Sequence, residues 1–308
     1  MEKYSVIDIG SNSIRLLNAI VKDNEIISAN KFLKMTRLGL GVDKTNLLSE
    51  ESMSKSVEAL KAYNKMIKEF GGKFIGAYAT SAVRDSNNKE RFLDDVFNEV
   101  GMKINVISGE EEALLGYYGV IAGLKDPGKV LIVDIGGGST EFILGDKDKI
   151  HSAVSLNMGA VRMTDRYISS ELVLKEEKDE LILFVDKLIE KEVQKIKEFS
   201  PDVIVGIGGT ITTIAAIDLK MQEYDREKIH NYKMNFEKIK DINSDLELKN
   251  LEERKKVTGL QPKRADIIYA GGLILETIMK ASNLSEISVS DFDNLEGALV
   301  QKNILIFL

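Results

Sequence analysis

The chain has 308 residues, of which 44% are hydrophobic and 30% are charged, and its formal net charge is −7. It contains no cysteine and only two histidines, which excludes disulfides and thiolate metal sites and argues against histidine-relay phosphatases. Nucleic-acid binding is disfavoured because the chain is acidic and has no basic tract. An anionic substrate would therefore need a local pocket of backbone N–H groups, Arg, Lys or metal.

The ends and the apolar runs of the sequence bear on location. No apolar run approaches the roughly 20 residues that a membrane span needs. The N-terminal segment MEKYSVIDIG lacks the layout of a signal peptide. Together with the absence of cysteine, these features predict a cytoplasmic protein that does not act at a membrane.

The first 124 residues predict a mixed α/β pattern, because β-rich segments are followed by alternating helical and strand-like segments. The spacing of Ser108 and Glu111 is that of a capping box, which marks the start of a helix. The stretch TSAVRDSNN after residue 79 is interpreted as a polar loop. The predicted strands are 3–9, 14–21, 25–34, 73–79 and 103–107, and the predicted helices are 49–70, 88–100 and the one that begins at Ser108.

The segment GLKDPG at 123–128 is the predicted linker, because it combines a proline with two glycines. The pattern then restarts, with strands at 129–135, 140–145, 149–156 and 203–207 and with helices after Gly159, over 170–198, after residue 207, over 264–282 and over 294–303. The segment 222–262 is polar and helical in places. This restart predicts an internal duplication into domains 1–124 and 125–308, in which the final helix, about 294–308, is free to pack back on the first domain.

A turn of the pattern Asp-Ile-Gly-x-x-Ser occurs twice, at 8–13 in IDIGSNSIR and at 134–139 in VDIGGGSTEF. Glycine turns allow backbone N–H groups to point at an anion. The alternative, a tight hairpin capped by its aspartate, is disfavoured by the matched spacing of the two copies. We expect the turns to lie opposite each other across a cleft and to bind phosphate through Asn12, Ser13, Gly136, Gly137, Gly138 and Ser139.

Two further features support phosphate binding. Asp8 and Asp134 precede their turns as carboxylates that hold Mg²⁺ against phosphate oxygens do. In VGIGGTITTIAAI, Gly208 and Gly209 lead from a strand into a helix, whose N-terminus is suited to phosphate. Close packing between strand and helix is the alternative for this third turn.

The segment SGEEEALLGYYGV contains the candidate general base. Glu110 and Glu111 complement the helix dipole, whereas Glu112 begins the second helical turn and is placed to deprotonate a water beside bound phosphate. Glu141 is a second candidate, against the alternative of an exposed strand residue. Arg84 is a candidate phosphate ligand, although a solvated loop arginine fits equally well. The weaker candidates for this role are Arg162, Lys263 and Arg264.

Six segments in this order resemble the exopolyphosphatase and guanosine pentaphosphate phosphatase family: IDIGSNSIRLL, ATSAVRDSNN, SGEEEALLGYYGV, LIVDIGGGSTEFIL, SLNMGAVRMTDRY and VIVGIGGTITTIAAI. The six segments lie between residues 7 and 217, and the resemblance as a whole is taken to run from residue 4 to about 280. The resemblance implies an α/β fold of two ribonuclease-H-like domains around a central cleft, as in the superfamily of actin, sugar kinases and heat-shock ATPases. It also implies the short two-domain form and is compatible with a homodimer.

The resemblance further implies Mg²⁺-dependent release of terminal phosphate from polyphosphate or from the 5′-triphosphate of guanosine pentaphosphate. Glu112 matches the catalytic glutamate of the family, Asp134 its glycine-loop aspartate, and Arg84 the arginine of its ATSAVR loop. Two alternatives stay open. A phosphotransferase of the same superfamily would need an acceptor, and a non-catalytic nucleotide sensor would bind without releasing phosphate.

Overall fold

The computed structural model describes residues 1–125 and 127–305. Contacts divide the chain into two compact units: the first is Met1–Gly123 together with Phe292–Leu308, and the second is Leu124–Asp291. In the described part of the chain, no helix combines the length and the apolar character that crossing a membrane would need.

The first unit contains a five-stranded mixed sheet. The strands are β1 (Glu2–Ile9), β2 (Ser13–Lys22), β3 (Glu25–Met35), β4 (Lys73–Ala79) and β5 (Ile104–Val106). Their order is β3-β2-β1-β4-β5, with β1 to β3 antiparallel and β4 and β5 parallel to β1. The helices up to the linker are α1 (Val42–Thr45), α2 (Glu50–Phe70), α3 (Ser81–Arg84), α4 (Lys89–Val100) and α5 (Gly109–Ala122).

The second unit contains a six-stranded mixed sheet in the order β10-β11-β9-β6-β7-β8. The strands are β6 (Val130–Ile135), β7 (Thr140–Gly145), β8 (Ile150–Leu156), β9 (Val203–Ile207), β10 (Tyr232–Asn235) and β11 (Glu286–Val289). The helices are α6 (Ala160–Tyr167), α7 (Lys175–Phe199), α8 (Gly208–Asp218), α9 (Arg226–Ile229), α10 (Phe236–Glu247), α11 (Leu251–Arg254) and α12 (Ile268–Ala281), with a 3₁₀ turn at Pro262–Arg264. The chain then returns to the first unit as α13 (Asn294–Gln301).

The two sheets repeat one topology. Strands β8-β7-β6-β9-β11 follow the same 3-2-1-4-5 order as β3-β2-β1-β4-β5, and β10 extends the second sheet at its edge. In each case an antiparallel three-stranded start is followed by parallel strands. The predicted fold class, α/β with ribonuclease-H-like units, is confirmed.

Close packing of α13 on α5 explains why residues 292–308 group with the first unit and not with the range 125–308. A Cβ atom on Gly119 would overlap the carbonyl of Asp293, and one on Gly297 would overlap the carbonyl of Leu115. The two helices therefore approach at backbone distance, as glycine alone permits. The shared core of this face contains Tyr4, Val6, Leu17, Leu115, Leu295, Ala298 and Leu299.

The structure differs from the predicted helices at α3, α7 and α12, the last of which begins at Ile268 and not at residue 264 because residues Pro262–Arg264 form a 3₁₀ turn. The stretch expected to be a loop contains α3, because Ala82 and Val83 are buried in the core that α2 covers. Helix α7 begins at Lys175 and not at residue 170, since the Glu177 carboxylate accepts backbone N–H groups from the preceding segment. The donors are Ser169, Ser170 and Leu174.

The strands β10 and β11 were not predicted. Each has four residues, too few to show a strand periodicity. Strand β11 nevertheless lies between β9 and β10 in the sheet, so a segment with a weak local pattern occupies an interior position. Tertiary pairing decides such short strands.

We expect Gly297→Ala to destabilise the protein. The added methyl overlaps the carbonyl of Leu115, and overpacking of this kind costs about 1–3 kcal/mol of unfolding free energy. Urea denaturation of wild type and variant measures the difference.

The control is Gln301→Ala, an exposed position at the end of the same helix, which should change the unfolding free energy by less than about 0.5 kcal/mol. Equal stability of Gly297→Ala and wild type would contradict the close approach of α5 and α13.

Candidate active site

The first hairpin turn is held by its own backbone and by the segment after β3. The Gly10 N–H donates to the Ser13 carbonyl at 3.0 Å. The carbonyl of Asn12 accepts the N–H groups of Thr36 and Arg37, at 3.2 and 3.0 Å. These contacts fix the predicted phosphate residues Asn12 and Ser13 in one backbone conformation.

The second turn repeats this arrangement. The Gly136 N–H donates to the Ser139 carbonyl, also at 3.0 Å, and the carbonyl of Gly137 accepts the N–H groups at the start of α6. The Arg162 Nε donates to the Gly138 carbonyl at 2.7 Å. Within residues 1–125 and 127–305, the N–H groups of Gly137, Gly138 and Ser139 donate to no backbone carbonyl. A run of N–H groups of this kind is suited to bind an anion, as the sequence predicts for this turn, and it is called the glycine nest below.

Arg162, a weaker candidate in the sequence, thus contacts the nest from the carbonyl side. Gly159 lies equally close, since a Cβ atom there would be 2.5 Å from the Gly137 carbonyl. Both residues pack against the loop, and the role of Arg162 as a phosphate ligand stays a prediction.

Glu112 is a buried carboxylate in the first turn of α5, so the prediction that it begins the second helical turn is wrong. The Nη1 atom of Arg84 donates to its Oε2 at 3.0 Å and to the Ile107 carbonyl at 3.1 Å. Thr80 also hydrogen-bonds the Glu112 side chain. The structure therefore places the predicted phosphate ligand Arg84 on the predicted base.

Burial raises the pKa of Glu112 to about 7, from an ordinary value of 4.5. The charge of Arg84 and the hydrogen bonds from Arg84 and Thr80 oppose this rise, whereas the charge of Asp8 adds to it. A carboxylate with a pKa near 7 is suited to take up a proton at neutral pH. Perturbed carboxylates of this kind are typical of functional sites.

Asp8 lies in β1 and faces Arg15 across the hairpin. Its Oδ2 accepts hydrogen bonds from Arg15 Nε at 3.0 Å and from Arg15 Nη2 at 2.8 Å. Burial raises the pKa of Asp8, and Arg15 counteracts that rise. This carboxylate is thus charge-paired within its own unit.

The corresponding pair in the second unit consists of two acids. Asp134 in β6 is the direct cross-strand partner of Glu141 in β7, and both residues are buried. The Oγ of Ser155 donates to Glu141 Oε1 at 2.6 Å. Directly opposed residues of antiparallel strands have Cβ atoms roughly 5 Å apart on one face, so the two acidic side chains leave the sheet on the same face.

Glycine at position 208 leaves room for the carboxylate of Asp134. Gly208 has a φ of +89°, and a Cβ atom on it would overlap Asp134 Oδ1. Gly209 lies similarly against the guanidinium of Arg264, which a Cβ atom would also overlap. The third glycine turn is therefore part of the acid site as well as a helix N-terminus.

Within each unit, the predicted residues converge. Asp8, Arg84 and Glu112 interact in the first unit. In the second unit, Asp134 lies beside Glu141 and Gly208. No sequence motif points to a role for Arg15, Thr80 or Asp293. Arg15 could have been found from hairpin symmetry, because it is as far after its turn as Glu141 is after the second one.

In the described part of the chain, no group of three or more His, Cys, Asp or Glu side chains is arranged to hold a metal ion. A protein cage for a metal is therefore not built from these residues alone. Mg²⁺ commonly binds one or two carboxylates and completes its shell with water and substrate phosphates, which is the situation that the acid pair Asp134 and Glu141 would allow.

Comparison with known proteins decides the family. Residues 20–304 match the sequence pattern of the Ppx/GppA phosphatase family. This chain belongs to the Ppx/GppA phosphatase family. The resemblance inferred from the six motifs is confirmed, and membership makes the protein a phosphatase-family hydrolase.

Individual relatives cover most of the chain. A bifunctional 3-dehydroquinate synthase/phosphatase of Fusobacterium nucleatum is 40% identical over 96% of this chain, and the match spans 46% of that protein's length. Exopolyphosphatase 2 of Mycobacterium tuberculosis is 29% identical over 96% of this chain and 97% of its own length. The crystal structure of the Aquifex aeolicus Ppx/GppA family member is 35% identical with a TM-score of 0.82 and covers 98% of each chain.

We expect Arg84→Ala to move the acid limb of the pH–rate profile to higher pH. The charge of Arg84 lowers the pKa of Glu112, against the effect of burial, so its removal raises that pKa further, and a base works only when deprotonated. The measurement is kcat/KM for phosphate release between pH 5 and pH 9.

Arg84→Lys, which keeps the positive charge, is the matched control and should retain more of the wild-type profile. An unshifted acid limb in Arg84→Ala would show that the titration of Glu112 does not govern the rate.

Proposed function

We propose that this Ppx/GppA protein releases terminal phosphate from inorganic polyphosphate, from the 5′-triphosphate of guanosine pentaphosphate, or from both, with Glu112 as general base. The single observation that carries the proposal is the buried Glu112, paired with Arg84 and raised in pKa to about 7. The relative named exopolyphosphatase 2 supports polyphosphate as a substrate class.

In this proposal a water attacks the terminal phosphorus in line with the bridging oxygen. A new P–O bond forms, the terminal phosphoanhydride bond breaks, and the shortened chain leaves with the bridging oxygen. Glu112 accepts the proton of the attacking water at its carboxylate. Arg84 and Thr80 hold that carboxylate in place. The Glu112 side chain therefore does not need to reorient when it takes up the proton.

The glycine nest supplies the phosphate donors. The N–H groups of Gly137, Gly138 and Ser139 are directed by carbonyl contacts on the other side of the loop. Donors that are fixed before the reaction stabilise charge on transferring phosphoryl oxygens. Asn12 and Ser13 in the first turn, together with Gly208 and Gly209 at the start of α8, are proposed for the same role.

The acid residues fit a requirement for Mg²⁺. Asp134 and Glu141 are buried and directly opposed, and carboxylates in that arrangement repel each other when both are charged, which a bound divalent cation would offset. The oxygen donor set is the one that Mg²⁺ prefers, with few protein ligands and room for phosphate oxygens. Mg²⁺ would be held in the second unit by Asp134 with Glu141, and Asp8 stays the predicted metal ligand of the first unit; when bound, the ion would offset phosphate charge.

The Arg15 contact bears on the role of Asp8. Arg15 donates twice to Oδ2 of Asp8, so Asp8 would meet a cation as a carboxylate that is already paired with an arginine. A cytoplasmic location and a homodimer stay predictions.

Glu112→Gln should reduce kcat for phosphate release by about 10²–10⁴, the usual contribution of a general base. The rates are measured on polyphosphate and on guanosine pentaphosphate, with Mg²⁺ and after chelation. Glu110→Gln, an exposed position in the same helix turn, is the control and should keep the wild-type rate. Wild-type protein that releases phosphate from neither substrate would overturn the proposal.

The same variant separates catalysis from stability. Because the folded pKa of Glu112 lies above its ordinary value, the folded state holds its proton more tightly, and stability from this group declines as pH rises from about 4.5 to about 7. Glu112→Gln should therefore match or exceed the wild-type Tm at pH 8. A lower Tm there would mean that ionised Glu112 is stabilising.

Gly208→Ala should raise the Mg²⁺ concentration needed for half-maximal activity. The added Cβ overlaps Asp134 Oδ1 and sits at a φ of +89°, so it displaces the acid as well as straining the backbone. Gly101→Ala is the matched control, since Gly101 has a φ of +70° and open space at its Cβ position. It should lower the Tm and leave the Mg²⁺ requirement unchanged. Equal Mg²⁺ requirements in both variants would count against Asp134 as a metal ligand.

A further inference from the structure

We propose that Asp293, near the C-terminal end of the chain, is a positioning residue for the phosphohydrolase site, acting on Asp8 through Arg15 and on Glu112 through the packing of α13 against α5. The inference rests on the proposed function. All of the residues concerned belong to the first unit.

The link to Asp8 is a shared guanidinium. Arg15 donates to Asp8 Oδ2 through Nε and Nη2, at 3.0 and 2.8 Å, and to Asp293 Oδ2 through Nη1 at 2.5 Å. The planar fork of an arginine has a fixed geometry. Two carboxylates on different sides of it therefore set its orientation, and through it the position of the Asp8 side chain.

Asp293 is itself firmly held. It is the N-cap of α13, where its Oδ1 accepts the Leu295 N–H at 3.0 Å and its own N–H donates to Glu296 Oε2 at 3.1 Å. The Nζ of Lys31 lies 3.6 Å from Asp293 Oδ2 and 3.0 Å from Glu296 Oε2. Burial alone would raise the pKa of Asp293, but Arg15 and Lys31 lower it to about 2, so this acid is charged at working pH.

The link to Glu112 is backbone packing. The carbonyl of Asp293 lies where a Cβ atom on Gly119 would be, and the carbonyl of Leu115 lies where a Cβ atom on Gly297 would be. Gly119 and Leu115 belong to α5, which also carries Glu112. A shift of the start of α13 is therefore transmitted to α5, the helix that carries Glu112, because closely packed protein interiors transmit strain.

The chemistry of the N-cap shows that more than helix capping is involved. Serine, threonine, asparagine and aspartate all cap helices well, so capping does not by itself call for a carboxylate. The two carboxylate oxygens of Asp293 have different contacts: Oδ1 caps the helix, and Oδ2 binds Arg15 and faces Lys31. When the carboxylate becomes an amide, the ionic contact with Arg15 and Lys31 is lost and the helix cap is kept.

The test compares Asp293→Asn with Glu296→Gln. Both keep an acceptor for the capping box and remove one buried charge from the same helix end, and Asp293 is the residue of the two whose carboxylate accepts the Arg15 Nη1 hydrogen bond. For Asp293→Asn we expect kcat to fall about 10–100-fold, as for residues that orient a site through another side chain, with KM for polyphosphate changed less than about twofold. Glu296→Gln should keep kcat near wild type at a comparable Tm.

A double variant checks the route. If Asp293 acts through Arg15, then Arg15→Lys combined with Asp293→Asn should lose little more activity than Arg15→Lys alone. Full additivity of the two losses would overturn the proposed route, as would wild-type kcat in Asp293→Asn. If the losses of kcat in Asp293→Asn and Glu296→Gln are in proportion to their losses of Tm, Asp293 contributes to stability alone.

A crystal structure of the Asp293→Asn variant decides the matter without any activity. We expect the Asp8 carboxylate to move by about 1 Å or more, a displacement large enough to matter for catalysis. An unmoved Asp8 would overturn the positioning role. If the wild-type protein releases phosphate from neither substrate, the proposed function fails on that assay, whereas the position of Asp8 in the variant still answers the structural question.

Discussion

A buried carboxylate is stable only where cations or hydrogen-bond donors replace the water that it loses. This constraint organises the first unit. Asp8 is balanced by Arg15 and Glu112 by Arg84, and Lys31 lies beside the Glu296 carboxylate. These ion pairs join the strands of the sheet to the helix that carries the base and to the returning C-terminal helix. The same charged residues therefore belong to the site and hold the fold together.

The second unit has a different residue opposite the aspartate of its hairpin turn. Its hairpin has the same Gly-to-Ser hydrogen bond at the same length, but the residue opposite the aspartate is Glu141 where the first unit has Arg15. One copy of the duplicated turn therefore sets an arginine opposite its aspartate, while the other sets a second acid there. The two similar backbones thus differ in the charge of the residue at this one cross-strand position.

Much of this could be predicted from sequence because it depends on local patterns. The matched Asp-Ile-Gly turns, the capping box at Ser108 and the glycines at 136–138 each show their function within a few residues. Arg84 was found, but its contact with Glu112 was not, since nothing local says which acid an arginine meets. The role of Asp293 was beyond reach for the same reason, because its partner Arg15 is 278 positions away.

The weaker parts of the prediction have physical causes too. Strands β10 and β11 are too short for periodicity, and α3 is a single helical turn that burial of Ala82 and Val83 stabilises. Sequence patterns report what a segment prefers alone. These elements take their form from the neighbours that cover them.

The return of α13 to the first unit has a consequence for biosynthesis. Residues 1–123 leave the ribosome first, yet the core face around Val6, Leu17 and Leu115 is completed by Leu295 and Leu299, which are translated only after the whole of the second unit. At usual elongation rates, this apolar face waits on the order of 10–40 s for its cover. A nascent chain of this architecture therefore offers a long window for chaperone binding.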